Sequence, residues 1–232
     1  MGKDILFEFI GTAILIVLGE SINANVSLKK TFGNASGWIV ITVGWGLAVF
    51  VAAYISAPYS GAHLNPALTL GLAATGLFKG SIAGYIAAQM LGAITGACLV
   101  FLMYKPHFDI EENADAKLGI FATSPAIPSL FSNFLSEFIG TFLLVFGVLM
   151  VGGAQIDGPL PVGLLIVVIG MSIGGSTGYA INPARDLGPR IAHALLPIKG
   201  KRDSNWQYSW LPVVAPICGA LAAAGLFLVI SD

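Results

Sequence analysis

The chain has 232 residues, 56% of them hydrophobic and only 10% charged, with a mean hydropathy of +0.85. A soluble domain of this length needs more charge to cover its surface, and a net charge of −1 offers nucleic acid no electrostatic footprint. Composition therefore predicts an integral membrane protein in contact with the lipid bilayer.

About 20 residues, rising ~1.5 Å each, cross a hydrocarbon core of ~30 Å. Apolar stretches of that order fall at 5–24, 38–57, 82–103, 131–152, 160–178 and 209–230, giving six full crossings in one domain. The first carries Glu8; it is too long for a signal-peptide core and has no convincing cleavage site, so it reads as a helix. The loop after it holds two formal glycosylation sequons, Asn25-Val26-Ser27 and Asn34-Ala35-Ser36, a motif short enough to arise by chance. Behind the second span, Asn65-Pro66-Ala67 opens a short apolar run. Asn is a strong N-cap, and Pro fits the first helical position, where its missing N–H costs nothing. A helix from Pro66 to about Leu77 is roughly 18 Å long, half the core. The longest loop, about 105–130, carries Asp109, Glu111, Glu112, Asp115, Pro125 and Pro128, and reads as a solvated connector. Asn182-Pro183-Ala184 opens a second short helix, to about Leu195. Cys98 and Cys218 fall mid-span and read as small packing residues.

The chain is written twice. Glu8-Phe9-Ile10-Gly11-Thr12 returns as Glu137-Phe138-Ile139-Gly140-Thr141, Leu91-Gly92-Ala93 resembles Cys218-Gly219-Ala220, and Asn-Pro-Ala recurs in the same order. Repeat one is about 1–104, the connecting loop about 105–130 and repeat two about 131–232. Three crossings per half is an odd number, so the second half enters from the opposite face. The two short helices then dip in from opposite sides and complete a seventh, broken span. Irregular backbone ahead of each Asn must line a cavity or be buried in protein.

These patterns select candidate residues. As N-caps, Asn65 and Asn182 spend the side-chain oxygen on their own helices, which leaves the amide NH₂ to hold a passing oxygen. Two helix N-termini at that point disfavour cations. Arg185 sits in an apolar setting, where a cation costs ~2.5–3.5 kcal/mol and marks a pathway or pairs with carbonyls. Asp186 beside it reads as loop support, with an ion pair between the two as the alternative. His63 is either a packed capping residue or a pore-lining one, and the repeat-matched Glu8 and Glu137 are candidates to accept hydrogen bonds from the irregular segments. Gly174-Gly175-Ser176-Thr177-Gly178 matches the nucleophile-elbow pattern, but it lacks the strand–turn–helix context and suits close helix packing better. The sequence offers no metal-ligand spacing and no phosphate loop, so no cofactor or metal is expected.

On these residues the chain resembles the aquaporin (major intrinsic protein) family, in its glycerol-facilitator branch. The likeness spans nearly the whole length. It rests on the repeated Glu-Phe-Ile-Gly-Thr, on Ser60-Gly61-Ala62-His63-Leu64-Asn65-Pro66-Ala67, and on Gly178-Tyr179-Ala180-Ile181-Asn182-Pro183-Ala184-Arg185-Asp186; Asp186 directly after Arg185 and Gly188-Pro189-Arg190 are typical of the branch. The resemblance implies an all-α fold of six transmembrane helices and two half-membrane helices. It also implies a homotetramer with one pore per protomer, in a bacterial cell membrane. It carries a selectivity filter onto Trp45, Gly170, Tyr179 and Arg185, and the Asn-Pro-Ala constriction onto Asn65 and Asn182. Tyr179 departs from the Phe that many bacterial glycerol facilitators have, and its hydroxyl is a candidate to alter which solutes pass. The implied solutes are glycerol and water, with protonated lactic acid open because some bacterial relatives are thought to carry it.

The family's orientation puts Lys29, Lys30, Lys105, Lys117, Arg190, Lys199, Lys201 and Arg202 outside and only Lys3 and Lys79 inside, against the positive-inside rule. The reading is a passive channel that excludes ions and protons, not an enzyme. A coupled secondary transporter of a small polar solute is the alternative, since it too uses inverted repeats and broken helices. A serine hydrolase built on Ser176 with His63 or His193 is a third class.

Overall fold

The computed structural model describes residues 2–151 and 158–231. Among these are nine α-helices and no strand: α1 Lys3–Ser27, α2 Trp38–Ser60, α3 Pro66–Ala74, α4 Ile82–Ile110, α5 Ala114–Phe121, α6 Leu130–Val151, α7 Leu160–Ser172, α8 Pro183–Leu195 and α9 Leu211–Ser231. α1, α2, α4, α6 and α9 are long and apolar enough to cross a bilayer. Their outward faces carry exposed Leu47, Leu91, Leu102, Leu143, Leu221 and Val229, a surface suited to lipid rather than water.

Two expected elements end differently. The span expected at 160–178 forms a helix only over Leu160–Ser172, followed by turns through Thr177. Gly174 and Gly175 are poor helix formers, and the chain must already bend there toward Asn182. The last residue of the span expected at 131–152 lies outside the described residues.

The two halves repeat each other in packing as well as in sequence. α1 packs on α4 and α6 packs on α9. A Cβ added at Gly92 would strike the carbonyl oxygen of Phe9, and one added at Gly219 would strike that of Phe138, so the same glycine-mediated backbone approach closes both pairs. The short helices are exchanged between halves: α3 rests on α9 of the second half, and α8 rests on α4 of the first. The halves thus interlock: the larger core includes Ile16, Ala97, Phe108, Phe121 and Ile169, and a second cluster packs Ala67 and Leu68 of α3 against Val145 of α6 and Ala220 and Ala223 of α9.

The 105–130 segment is not the solvated connector that its charges suggested. α4 continues to Ile110, Asn113 caps α5 through Oδ1, and Ile120 and Phe121 at the end of α5 are fully buried. Apolar side chains at 118, 120 and 121 pull the segment inward. Several cations assigned to the same side as this segment are tied into the fold. Lys117 Nζ bonds the carbonyl of Lys199, and Lys201 Nζ caps α8 through the carbonyls of His193, Ala194 and Leu196 at 2.6–2.8 Å.

Candidate functional site: a cavity where the two short helices meet

Each short helix starts at an Asn in extended conformation. Asn65 Oδ1 accepts from Ala67 N at 2.9 Å; Asn182 Oδ1 accepts from Ala184 N at 2.9 Å and Arg185 N at 3.2 Å. The amides then cross over. Asn65 Nδ2 donates to Ile181 O at 2.9 Å and Asn182 Nδ2 donates to Leu64 O at 2.8 Å. Each NH₂ therefore has one hydrogen committed, not two free as the sequence suggested, and one left over. Both side chains border a cavity of about 290 Å³.

The backbone leading into each Asn is irregular in matched fashion. Gly61, Ala62 and Leu64 have positive φ, and so do Gly178, Tyr179 and Ile181. A buried carboxylate holds each segment from behind. Glu8 accepts from His63 N at 2.8 Å, Leu64 N at 2.7 Å, Ser60 Oγ at 2.8 Å and Gln89 Nε2 at 2.7 Å. Glu137 accepts from Ala180 N at 2.9 Å, Ile181 N at 2.8 Å and Thr177 Oγ1 at 2.7 Å. In a trans peptide the C=O points opposite to the N–H it shares a plane with. With the N–H groups of 63, 64, 180 and 181 turned to the carboxylates, the carbonyls of Ala62, His63, Tyr179 and Ala180 turn toward the cavity that these residues line. His63 is among the residues that line the cavity, and its ring is packed: it contacts Thr69 Oγ1 at 3.1 Å and rests on Phe78 and Tyr85.

Hydrocarbon makes up much of the remaining lining, from Leu15 of α1, Val49 of α2, Leu144 and Val148 of α6, and Val162 and Ile166 of α7. The two irregular segments thus offer carbonyl acceptors and amide donors, and these four helices offer carbon. Such a passage suits a solute with hydroxyls along one edge of a carbon chain.

Trp45, Tyr179 and Arg185 line the same cavity. The Arg185 Cζ lies 4.1 Å above the Trp45 ring, a cation–π distance, and its Nη1 donates to Phe121 O at 3.3 Å. Asp186 does not pair with Arg185. It pairs with Arg190 one turn on, Nη2 to Oδ1 at 2.7 Å, and accepts from Thr123 N at 2.7 Å and Thr123 Oγ1 at 2.6 Å. None of the ion pairs among the described residues involves Arg185. Gly170 acts indirectly: a Cβ there would lie 2.8 Å from Tyr179 Cζ and 2.9 Å from Thr42 Cγ2, so its missing side chain seats the Tyr179 ring. The Tyr179 hydroxyl is buried with no protein atom in hydrogen-bond reach, so it is shielded from the passage.

Three features escaped the sequence reading. The Trp45 Nε1 donates to Asn23 Oδ1 at 3.0 Å, the Phe121 carbonyl reaches Arg185, and Glu20 is a fully buried carboxyl in α1 with neither oxygen hydrogen-bonded. Polar residues inside an apolar span were the available signal for Asn23 and Glu20. Nothing local marks a backbone carbonyl.

The sequence model of the family described as Major intrinsic protein matches residues 1–227. The probable glycerol uptake facilitator protein of Thermotoga maritima is 55% identical over 226 residues, 96% of this chain and 97% of that protein. The glycerol uptake facilitator protein of Bacillus subtilis is 57% identical over 216 residues, 91% of this chain and 79% of its own length. Among solved structures, the X-ray structure of the aquaglyceroporin from Plasmodium falciparum superposes with a TM-score of 0.86 at 35% identity, covering 97% of this chain and 94% of that one.

Proposed function

The chain belongs to the major intrinsic protein family, an integral membrane channel and not an enzyme, and from that premise we propose that it conducts glycerol and water passively and excludes ions and protons. The observation that carries the reading is the mixed lining of the cavity. Four carbonyls, two Asn amides and Arg185 come from the segments around the two short helices, and aliphatic side chains come from α1, α2, α6 and α7. Glycerol would slide its carbons along the apolar wall while its hydroxyls exchange partners along the polar one.

In this reading Trp45, Tyr179 and Arg185, with Gly170 seating the tyrosine, form the selectivity filter, and Asn65 and Asn182 form the central constriction. Asp186, Glu8 and Glu137 hold the backbone that carries them, and His63 lines the passage. The converging N-termini of α3 and α8 and the Arg185 cation raise the potential along the path, which opposes cations and protons but not neutral solutes. The protein would work as a homotetramer in a bacterial cell membrane. The inverted repeat lets it conduct in either orientation. Protonated lactic acid has the same mixed polarity and belongs to the solute class to be tested.

A coupled transporter needs an ionisable relay in the path. Glu8 and Glu137 are filled by donors, and Glu20 does not border the cavity. Stopped-flow light scattering on proteoliposomes, with water, glycerol, larger polyols, urea and lactic acid, tests the reading. Glycerol should equilibrate quickly and never exceed the outside concentration. Accumulation against a gradient would establish coupling, and glycerol flux no faster than in empty liposomes would refute the channel for that solute.

A further inference from the structure

The structure assigns a positioning role to Asn23 of α1: its side chain fixes the Trp45 indole, and through it sets which solutes the slot admits. The inference rests on the filter proposed above and adds a residue to it that does not touch the solute.

Asn23 lies within an apolar span and is only 6% exposed, where an amide is costly unless both of its ends are used. Both are. Oδ1 accepts from Trp45 Nε1 at 3.0 Å, and Nδ2 donates to Ile120 O at 3.3 Å. The same indole rests on Gly19, where any Cβ would overlap its six-membered ring. Its face is covered by the Arg185 guanidinium. Trp45 is thus held at its edge by Asn23, seated on Gly19 and covered by Arg185.

The anchor for this clamp is shared. Ile120 and Phe121 end α5, where helix carbonyls lack intrahelical partners. Ile120 O holds Asn23 and thereby Trp45; Phe121 O holds Arg185 directly. The aromatic and cationic walls of the slot therefore hang on two successive carbonyls, and how the indole lies against the guanidinium depends on the Asn23 bridge. The bridge also uses the only polar atom of the indole, so Trp45 shows the passage carbon alone. Without it, the N–H would turn to another acceptor, a solute hydroxyl included, and the ring would be free to pivot.

The test compares wild type, Asn23→Leu and Asn23→Asp in proteoliposomes, reading the permeability ratio of a five-carbon polyol to glycerol. Asp keeps the acceptor for Trp45, whereas Leu removes both bonds. We expect the ratio to change by about fivefold in Asn23→Leu, the factor corresponding to one hydrogen bond of ~1 kcal/mol, and by less in Asn23→Asp. Indole ¹⁵N–¹H spectra of Trp-labelled protein give a second readout on the four tryptophans, with the Trp45 signal identified by Trp45→Phe. That signal alone should shift in both variants, and Asn23→Asp keeps the test open if Asn23→Leu does not fold. An unchanged ratio in folded Asn23→Leu, or an unmoved Trp45 signal in either variant, overturns the proposal. Failure of wild type to pass glycerol would instead sink the channel reading, so the two failures are distinct.

Discussion

Asp186 pairs with Arg190, 2.7 Å away and one helical turn on, and leaves the adjacent Arg185 to a carbonyl and an aromatic face. Neighbouring residues on a helix point to different sides, so one motif supplies a buried tie and a cation at the passage. The two should separate on mutation. Asp186→Asn leaves the Arg190 charge buried and uncompensated, a loss on the order of 3 kcal/mol. The expected result is a lower yield and melting temperature, with unchanged solute selectivity per folded protein. Arg185→Ala should keep the fold and admit larger polyols or protons, read by solute flux and by a pH-sensitive dye inside the liposomes. Altered selectivity with normal stability in Asp186→Asn would reverse the assignment.

The crossed amides of Asn65 and Asn182 make a second prediction. Asp in either place keeps the capping oxygen but removes the donor to Ile181 O or Leu64 O and sets a negative charge where two helix N-termini converge. Neutral flux should fall in both variants and cation leakage should rise. Wild-type water and glycerol flux with no added ion current in both would remove the central-donor role.

These residues were legible because their signals are local. Asn before Pro starts a helix wherever it stands, and its recurrence at matched positions, with Glu8 and Glu137, exposes the inverted repeat. What was not legible depends on pairing across the chain. Asn65 reaches Ile181, Asn23 reaches Ile120 and Trp45, and Thr123 reaches Asp186, none of which leaves a trace in spacing. The 105–130 segment misled because its acids and prolines outweighed Ile120 and Phe121, the side chains that carry it inward. Tyr179 misled in another way: residue type implied a hydroxyl for the solute, whereas its seat on Gly170 buries that hydroxyl.

Glu20 contrasts with Glu8 and Glu137. All three are fully buried, yet neither oxygen of Glu20 has a donor. A buried polar group without partners costs about 1–3 kcal/mol. Glu20→Leu, close in volume, should raise the melting temperature and leave glycerol flux intact. A drop in stability would show instead that this carboxyl balances the charge of Arg185, which is near enough to act on it.

Glu111, beyond the membrane span, predicts a pH effect. Burial opposes its charge, but the backbone N–H groups of Asn113, Lys29 and Glu112, and then the Lys29 ammonium, outweigh it and hold the carboxyl below its ordinary value. A carboxyl depressed in the folded state contributes stability above its unfolded pKa, and that contribution is lost as pH falls through the folded one. Wild type should therefore exceed Glu111→Gln in thermal stability at neutral pH, with the gap closing below the usual carboxylate range. A gap independent of pH would mean that the side chain acts by packing alone.

Gly170 and Tyr179 form one unit of the slot. A side chain at 170 would begin 2.8 Å from the Tyr179 ring, so Gly170→His must push that ring into the passage. A three-carbon polyol then meets steric overlap that hydrogen bonds cannot offset, while a water molecule still finds partners. Glycerol permeability should fall far more than water permeability, both measured in the same liposomes and normalised to folded protein. Adding Tyr179→Ala should give the imidazole the room the ring had taken, restoring yield and water flux but not glycerol flux, because the histidine now narrows the slot itself. Tyr179→Phe keeps the ring over Gly170 and removes a buried hydroxyl that has no partner. It should leave glycerol and water flux unchanged and raise the melting temperature, by about 1 kcal/mol in stability. Equal loss of both solutes in Gly170→His would indicate misfolding, and unchanged glycerol flux would place the selective point elsewhere along the passage. A glycerol defect in Tyr179→Phe would show that the hydroxyl reaches the solute after all.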